Sequence, residues 1–258
     1  MLRFFLLTLP VAVLLCASPS PGDNAVAQKN KHITCVMTYN VGVFSKLGKS
    51  SLPDIASLIR ESGATLVALN ELDSCNHRHG VFQLEEAARA VGDWDYHFAS
   101  AFPFAGGAYG NGILSREPVL WSGTLALPKS DGAEPRSAAI VETESCVFAS
   151  VHLDYKGKDA RPSQARALND WFEAHYANSG KPVLLCGDFN DTPGSETLSI
   201  LETHWRRLSS DKATYGSSKC IDHIFVLRSA APVEVLQATV LPDVLSDHYP
   251  VKLILRFP

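Results

Sequence analysis

Two short stretches hold most of the reactive side chains. Cys186-Gly187-Asp188-Phe189-Asn190-Asp191-Thr192-Pro193 follows an apolar run directly, and Ser246-Asp247-His248-Tyr249-Pro250-Val251 lies near the end of the chain. Together they supply carboxylates, an amide and an imidazole, a set suited to attack by water on a phosphate ester. Four further apolar runs give way to residues of the same type. The run over 33–39 ends in Asn40, Leu66-Val67-Ala68-Leu69 in Asn70-Glu71, and Phe148-Ala149-Ser150-Val151 in His152-Leu153-Asp154, while Cys220-Ile221 leads into Asp222-His223. Strand ends are where layered α/β proteins gather their sites. Each residue also has a plainer role. Asn40 and Asn190 can close turns through side-chain to backbone bonds, Asp222 can cap a strand end, and Asp154 can brace the loop after His152. His223 falls on the face opposite Asp222 by strand alternation and reads as packing or surface.

The elements that must position these residues are legible from periodicity. Strands are expected over 33–39, 65–70, 95–99, 111–115, 137–142, 146–152, 182–187, 221–227, 233–240 and 250–256, each apolar or alternating and bounded by Gly, Pro, Asp or Ser. Three helices are expected. The first, 52–62, has Pro53 in its opening turn, buries Ile55, Leu58 and Ile59, and stops at Gly63. The second, 83–91, aligns Leu84, Ala87, Ala88 and Val91; the third, 162–177, aligns Ala165, Leu168, Trp171 and Phe172. Many strands with interspersed helices predict an α/β (α+β) fold, two packed sheets covered by helices in one four-layer domain.

Composition allows such a core. The chain has 258 residues, 46% hydrophobic and 19% charged, which excludes a disordered or fibrous protein. A formal charge of −4 speaks against a nucleic-acid scaffold, although clustered carboxylates also lower the count until a cation binds. Residues 1–27 read as a signal peptide, with one early charge at Arg3, a short apolar stretch and a small-x-small end at Ala25-Val26-Ala27, leaving 28–258 as the catalytic domain. Export to the periplasm or outside the cell is expected over lipid anchoring, because Leu15 before Cys16 is a poor lipid-attachment context. No other segment is apolar and long enough to span a membrane. The mature chain keeps Cys35, Cys75, Cys146, Cys186 and Cys220, an odd number that leaves at least one thiol unpaired within the chain. Cys75-Asn76-His77-Arg78-His79 lacks a fourth ligand at zinc spacing and reads as a surface loop.

Taken in order, Met37-Thr38-Tyr39-Asn40, Asn70-Glu71, Ser150-Val151-His152-Leu153-Asp154, Gly187-Asp188-Phe189-Asn190, Ile221-Asp222-His223-Ile224 and Ser246-Asp247-His248-Tyr249-Pro250 resemble the endonuclease/exonuclease/phosphatase superfamily. Its relatives include deoxyribonuclease I, exonuclease III, bacterial sphingomyelinases and inositol-polyphosphate phosphatases. The resemblance spans essentially the whole mature chain and implies an αββα sandwich of two mainly antiparallel mixed sheets. It also implies that Glu71 is the principal ligand of a divalent ion, Mg²⁺ or Mn²⁺, with Asn40 beside it and Asp247 as a second nearby carboxylate. Asp188 would orient or deprotonate the attacking water, and Asn190 would place that water or the phosphate. His248, tethered by Asp222, and His152 would bind the phosphoryl oxygens. Asn111, in Tyr109-Gly110-Asn111-Gly112, is expected to contact phosphate; Arg136 is expected either to serve the leaving side or to form a structural salt bridge. Arg161 and Gln164 resemble a structural R-x-x-Q pattern. Asn70 stands where relatives carry Gln, so its amide is one methylene shorter and its reach to neighbouring ligands changes.

The loops leave the substrate open. Only 31 residues separate Asn190 from Asp222 and 24 separate Asp222 from Asp247, with no basic arm for duplex DNA and no long aromatic hairpin for lipid. The loop over 101–109 brings Phe102, Phe104 and Tyr109, which suit stacking on a base, sugar or headgroup or packing on the sheet edge. A monomeric, exported phosphodiesterase or phosphomonoesterase is expected. A secreted nuclease acting on nucleic acid and a sphingomyelinase-like lipid phosphodiesterase are the alternatives; the intact acid, amide and imidazole set opposes a non-catalytic module of the same fold.

Overall fold

Alternation along the central strands writes two hydrophobic faces at once. In the first strand Val36 points one way and Met37 and Tyr39 the other; in the next, Leu66 and Ala68 oppose Val67 and Leu69. Such strands must be covered on both sides. The computed structural model describes residues 32–157 and 159–258, so the expected signal peptide lies outside the described residues.

The strands are β1 (Ile33–Asn40), β2 (Leu66–Ser74), β3 (Asp95–Phe104), β4 (Gly107–Ser115), β5 (Trp121–Leu127), β6 (Arg136–Glu142), β7 (Val147–His152), β8 (Val183–Asp188), β9 (Trp205–Arg207), β10 (Asp222–Leu227), β11 (Glu234–Val240) and β12 (Val251–Arg256). The helices are α1 (Leu52–Ser62), α2 (Gln83–Val91), α3 (Ala160–Tyr176) and α4 (Glu196–Glu202). One six-stranded sheet runs β11-β12-β1-β2-β4-β3 and the other β5-β6-β7-β8-β10-β9. The pairs β1/β2 and β7/β8 are parallel, and the rest are antiparallel. Val36, Leu66, Ile113, Phe148, Leu184, Ile224 and Leu253 fill the space between the sheets. Ile55, Ile59, Leu84 and Ala87 cover the outer face of the first sheet, while Leu168, Phe172 and Trp205 cover that of the second. This is the four-layer αββα sandwich.

Differences from expectation lie at the edges. The segment over 101–109 is not a loop: it extends β3 and β4 into a hairpin that turns at Ala105 and Gly106, with Pro103 accommodated because β3 is an edge strand. Leu58 is only half-buried, and Ala56 joins Ile55 and Ile59 in the core. Helix α3 begins two residues early, at Ala160. Strands β5 and β9 and helix α4 carry no strong periodic signal: β5 is an exposed edge, β9 has three residues, and α4 is two turns long. The start of α4 has a local cause, since the Ser195 side chain accepts a bond from Leu198 N–H. All five cysteines in the described residues are free, and Cys146, Cys186 and Cys220 are buried.

His223 is buried completely beside Phe189 and Phe225, at ring separations of 5.6 and 5.9 Å. Its Nε2–H donates to the Asp191 carbonyl at 3.1 Å. Burial pushes its pKa from 6.5 down to about 4, against the opposing pull of that carbonyl and of Asp222. Between those values the unfolded chain binds a proton that the folded chain refuses. The stabilisation is therefore complete above 6.5 and is lost as pH falls towards 4, to the extent of about 3 kcal/mol. Urea unfolding of His223→Gln is expected to show a flatter stability profile than wild type between pH 6.5 and 4; parallel profiles would refute this role.

Candidate active site

The parallel pairs bring their polar ends to one edge. Asn40 lies opposite Asn70, His152 opposite Asp188, and Asp222 opposite the same Asp188 across the antiparallel pair. Three asparagines then tie the sheets together at this edge. Asn40 Nδ2 donates to Glu71 Oε1 (3.2 Å) and to Asp188 Oδ2 (3.0 Å). Its oxygen accepts from Gly42 N–H, and the amide nitrogen spans the two carboxylates. The Asn70 amide donates to the Val151 carbonyl at 2.8 Å and accepts from Asp188 N–H at 3.0 Å. One methylene fewer still reaches the second sheet. Asn111 is placed differently from expectation: it is 1% exposed, donates to the Ser150 carbonyl at 2.6 Å and does not line the cleft. It shares a strand face with Ile113, which points between the sheets.

Asp188 is where the floor converges. Its Oδ2 lies 3.6 Å from His152 Nε2 and 3.7 Å from His248 Nε2, and His248 Nδ1 is 2.8 Å from Asp222 Oδ2. Burial, and then the Asp222 charge, raise the Asp188 carboxyl well above the usual carboxylate range. Burial pulls His248 down, but the carboxylates of Asp222, Asp188 and Asp247 outweigh it and lift the ring to about 9. His152 goes the other way: burial and then Arg136 hold it well below 6.5. Arg136 Nη1 lies 3.4 Å from His152 Nδ1, which accepts and leaves Nε2–H to donate. One imidazole is thus a cation and the other a neutral donor.

Asn190 closes the turn after β8 in a left-handed conformation (φ 51°). Its N–H donates to Asp188 Oδ1 at 2.8 Å and its amide to the Leu153 carbonyl at 3.0 Å, while the residue still lines the cleft. Arg136 forms the expected salt bridge, with Glu134 at 3.3 Å, and also lines the cleft. Asp154 accepts from the N–H groups of Glu134, Lys156 and Gly157 and braces its loop. Gln164 holds that loop to α3, and Arg161 pairs with Asp191 at the cleft wall.

The cleft measures about 760 Å³. Glu71 opens onto it from a bulge in β2 at φ 59°, and Asp247 opens onto it from the loop before β12. These two residues offer carboxylate oxygens to the cleft, and no cysteine lines it, which fits a hard divalent cation. Asp188, Asp222 and His248 also lie within ligand distance of one another, but they are buried and bonded among themselves. Lining residues not foreseen from sequence are Lys46, Arg78, Tyr155, Tyr215 and Lys219, all from irregular segments without periodic signal. The Cys75–His79 run is more than a surface loop. Fully buried Asp73 holds Arg78 through two 2.7 Å bonds and His79 at 2.6 Å, and lays the guanidinium 4.7 Å over Phe104.

Fold and site define a hydrolase that works on phosphate esters. Residues 37–248 match the sequence model of the Endonuclease/Exonuclease/phosphatase family, and the chain belongs to that family. Its members hydrolyse phosphate esters, generally with a divalent metal. The chain is similar in structure to an endonuclease/exonuclease/phosphatase family protein from Bacteroides thetaiotaomicron (20% identity, 88% of this chain and 99% of that one, TM-score 0.71). It is also similar to a mannosyl-6-phosphatase of Bacteroides thetaiotaomicron (21%, 87% and 100%, TM-score 0.71) and to the human Nocturnin catalytic domain with a bound sulfate anion (15%, 89% and 97%, TM-score 0.69). Among curated proteins, none matches the chain by sequence. At these identities the structural likeness shows the fold.

Proposed function

We propose that the protein is an exported, Mg²⁺-dependent hydrolase of a phosphomonoester or phosphodiester that enters the 760 Å³ cleft. The observation that carries this is the convergence of Asn40, His152 and His248 on the single oxygen Oδ2 of Asp188. A carboxylate whose proton affinity burial has raised is suited to draw a proton from water as that water attacks phosphorus. Asn40 holds the carboxylate in place from the opposite sheet. His248, kept cationic by Asp222, offsets the charge that grows on the phosphoryl oxygens, and neutral His152 donates to them through Nε2–H. Glu71 and Asp247 would hold the ion, which when bound supplies Lewis-acid polarisation of the phosphate.

The mannosyl-6-phosphatase likeness supports a small phosphomonoester. A nuclease is the second reading, favoured by Arg78 over Phe104 and by Lys219 over Tyr215 at 5.6 Å, cation and ring pairs on which bases stack. Export is supported by the apolar N-terminus and its small-x-small end. Purified protein is to be assayed on sugar phosphates, inositol phosphates, choline-phosphate lipid vesicles, plasmid and single-stranded DNA, RNA and bis-p-nitrophenyl phosphate. Hydrolysis in Mg²⁺ or Mn²⁺ that stops with EDTA is expected for one class. Inertness on every substrate with either ion would sink the proposal.

A further inference from the structure

After β1 the chain turns left-handed for three consecutive residues, Gly42 (φ 52°), Val43 (φ 51°) and Phe44 (φ 54°). Glycine takes this conformation freely; Val43 and Phe44 take it at roughly 1–3 kcal/mol each. The surroundings enforce the turn. The Val43 carbonyl accepts from Gln83 Nε2 and the Phe44 carbonyl from Ser51 N–H, both at 2.7 Å, while the Phe44 ring is buried under α1 and α2. Ser45 Oγ meets His79 Nε2 at 3.2 Å. A Cβ on Gly42 would stand 2.7 Å from Lys46 Cβ and 3.2 Å from Ser246 Oγ, so the turn is closed tightly on itself and on the Asp247 loop.

What the turn delivers to the cleft is Lys46. Its Nζ lies 3.3 Å from Asp247 Oδ2, in the cleft it shares with Glu71, Tyr215 and His248. With the lysine 47% exposed, such an ion pair contributes about 0–1 kcal/mol, less than the strain that positions it. The turn is held by the buried Phe44 ring and by the carbonyl bonds of Val43 and Phe44, so Lys46 is presented to the cleft without the ion pair having to hold it there. The ammonium pairs with one of the two carboxylates suited to a cation, Asp247, and lines the same cleft as the other, Glu71.

We propose that Lys46 is a substrate-binding residue whose Nζ contacts a non-bridging oxygen of the scissile phosphate, and which competes with a divalent ion for Asp247 until substrate arrives. This rests on the phosphoesterase reading above. Lys46 then supplies a positive charge from the chain itself where a second ion would otherwise serve. Two effects of opposite sign follow. Lys46→Met is expected to weaken inorganic phosphate binding in saturating Mg²⁺ by about 10- to 100-fold, the worth of one charge-assisted hydrogen bond. It is also expected to tighten Mg²⁺ binding without phosphate, because a competing cation has gone. Lys46→Arg should restore part of the phosphate affinity, and both variants should melt with wild type.

The experiment is calorimetric titration of wild type, Lys46→Met and Lys46→Arg with MgCl₂ alone, then with inorganic phosphate in saturating Mg²⁺, together with KM and kcat on an ester that wild type cleaves. Unchanged phosphate affinity in folded Lys46→Met would reduce the lysine to a counter-ion of Asp247. Weaker Mg²⁺ binding in that variant would make it a brace for the carboxylate, and either result overturns the proposal. A wild type that binds neither Mg²⁺ nor phosphate and cleaves nothing instead brings down the phosphoesterase reading itself.

Discussion

Asp188→Asn is expected to lower kcat/KM by about 10³-fold or more on any ester that wild type hydrolyses, with the fold intact. The substitution is nearly isosteric, yet it inverts the hydrogen bonding at the centre of the floor. Asp188 Oδ1 is claimed by Asn190 N–H, so an asparagine there keeps its carbonyl on that donor and turns its NH₂ into the position of Oδ2. That position already faces the amide of Asn40 and the Nε2 atoms of His152 and His248. A donor then meets donors, and the proton acceptor for water is gone. The His248 ring also loses one of the carboxylates that hold it charged, which lowers its pKa. Steady-state kinetics with circular-dichroism melts checks both halves. A loss below ten-fold in a folded variant would show that Asp188 is not the group that takes the proton.

Glu71→Gly separates stability from activity. Glu71 adopts φ 59° in the β2 bulge, a conformation that costs a non-glycine residue roughly 1–2 kcal/mol and glycine almost nothing. Glycine gives part of this back through the greater freedom of its unfolded chain, roughly 0.5–1 kcal/mol. The net expectation is a melting temperature between unchanged and a few degrees higher, since about 1 kcal/mol moves a domain of this size by roughly 2–4 °C. Mg²⁺ affinity, read by calorimetry, is expected to fall by about 100-fold or more with activity, because the open carboxylate at the mouth is removed. Glu71→Gln is the partner variant. It retains an oxygen for Asn40 Nδ2 and the backbone strain, and should lose the metal response with no gain in stability. Full Mg²⁺ affinity in either would exclude Glu71 as the principal ligand.

The sandwich was legible because its central strands are covered on both faces, so apolar residues dominate them until the polar end arrives. Asn40, His152 and Asp188 stand at strand ends, Glu71 in the β2 bulge and Asp222 at the start of β10; two parallel pairs and the antiparallel β8/β10 pair then bring them to one edge. The edges were less legible for a physical reason. β5 is half solvent-facing, and Pro103 and the Gly106-Gly107 pair gave the β3–β4 hairpin the composition of a loop. Asn111 shows a recoverable limit: counting two residues to Ile113 places it between the sheets, where an amide ties backbones together. Lys46, Arg78, Tyr215 and Lys219 had no such count. Their positions depend on local turns and on a buried carboxylate, Asp73, that no periodicity marks.

The order of the strands carries a consequence for synthesis. β12 closes the first sheet against β1, and Asp247 and His248 stand just before it. In chain order, sheet closure and these two residues of the cleft therefore come after the other described strands. A chain made only as far as β11 holds Asp188 and Asp222 without the His248 imidazole that joins them, so the floor of the cleft is completed only as β12 comes to pair with β1.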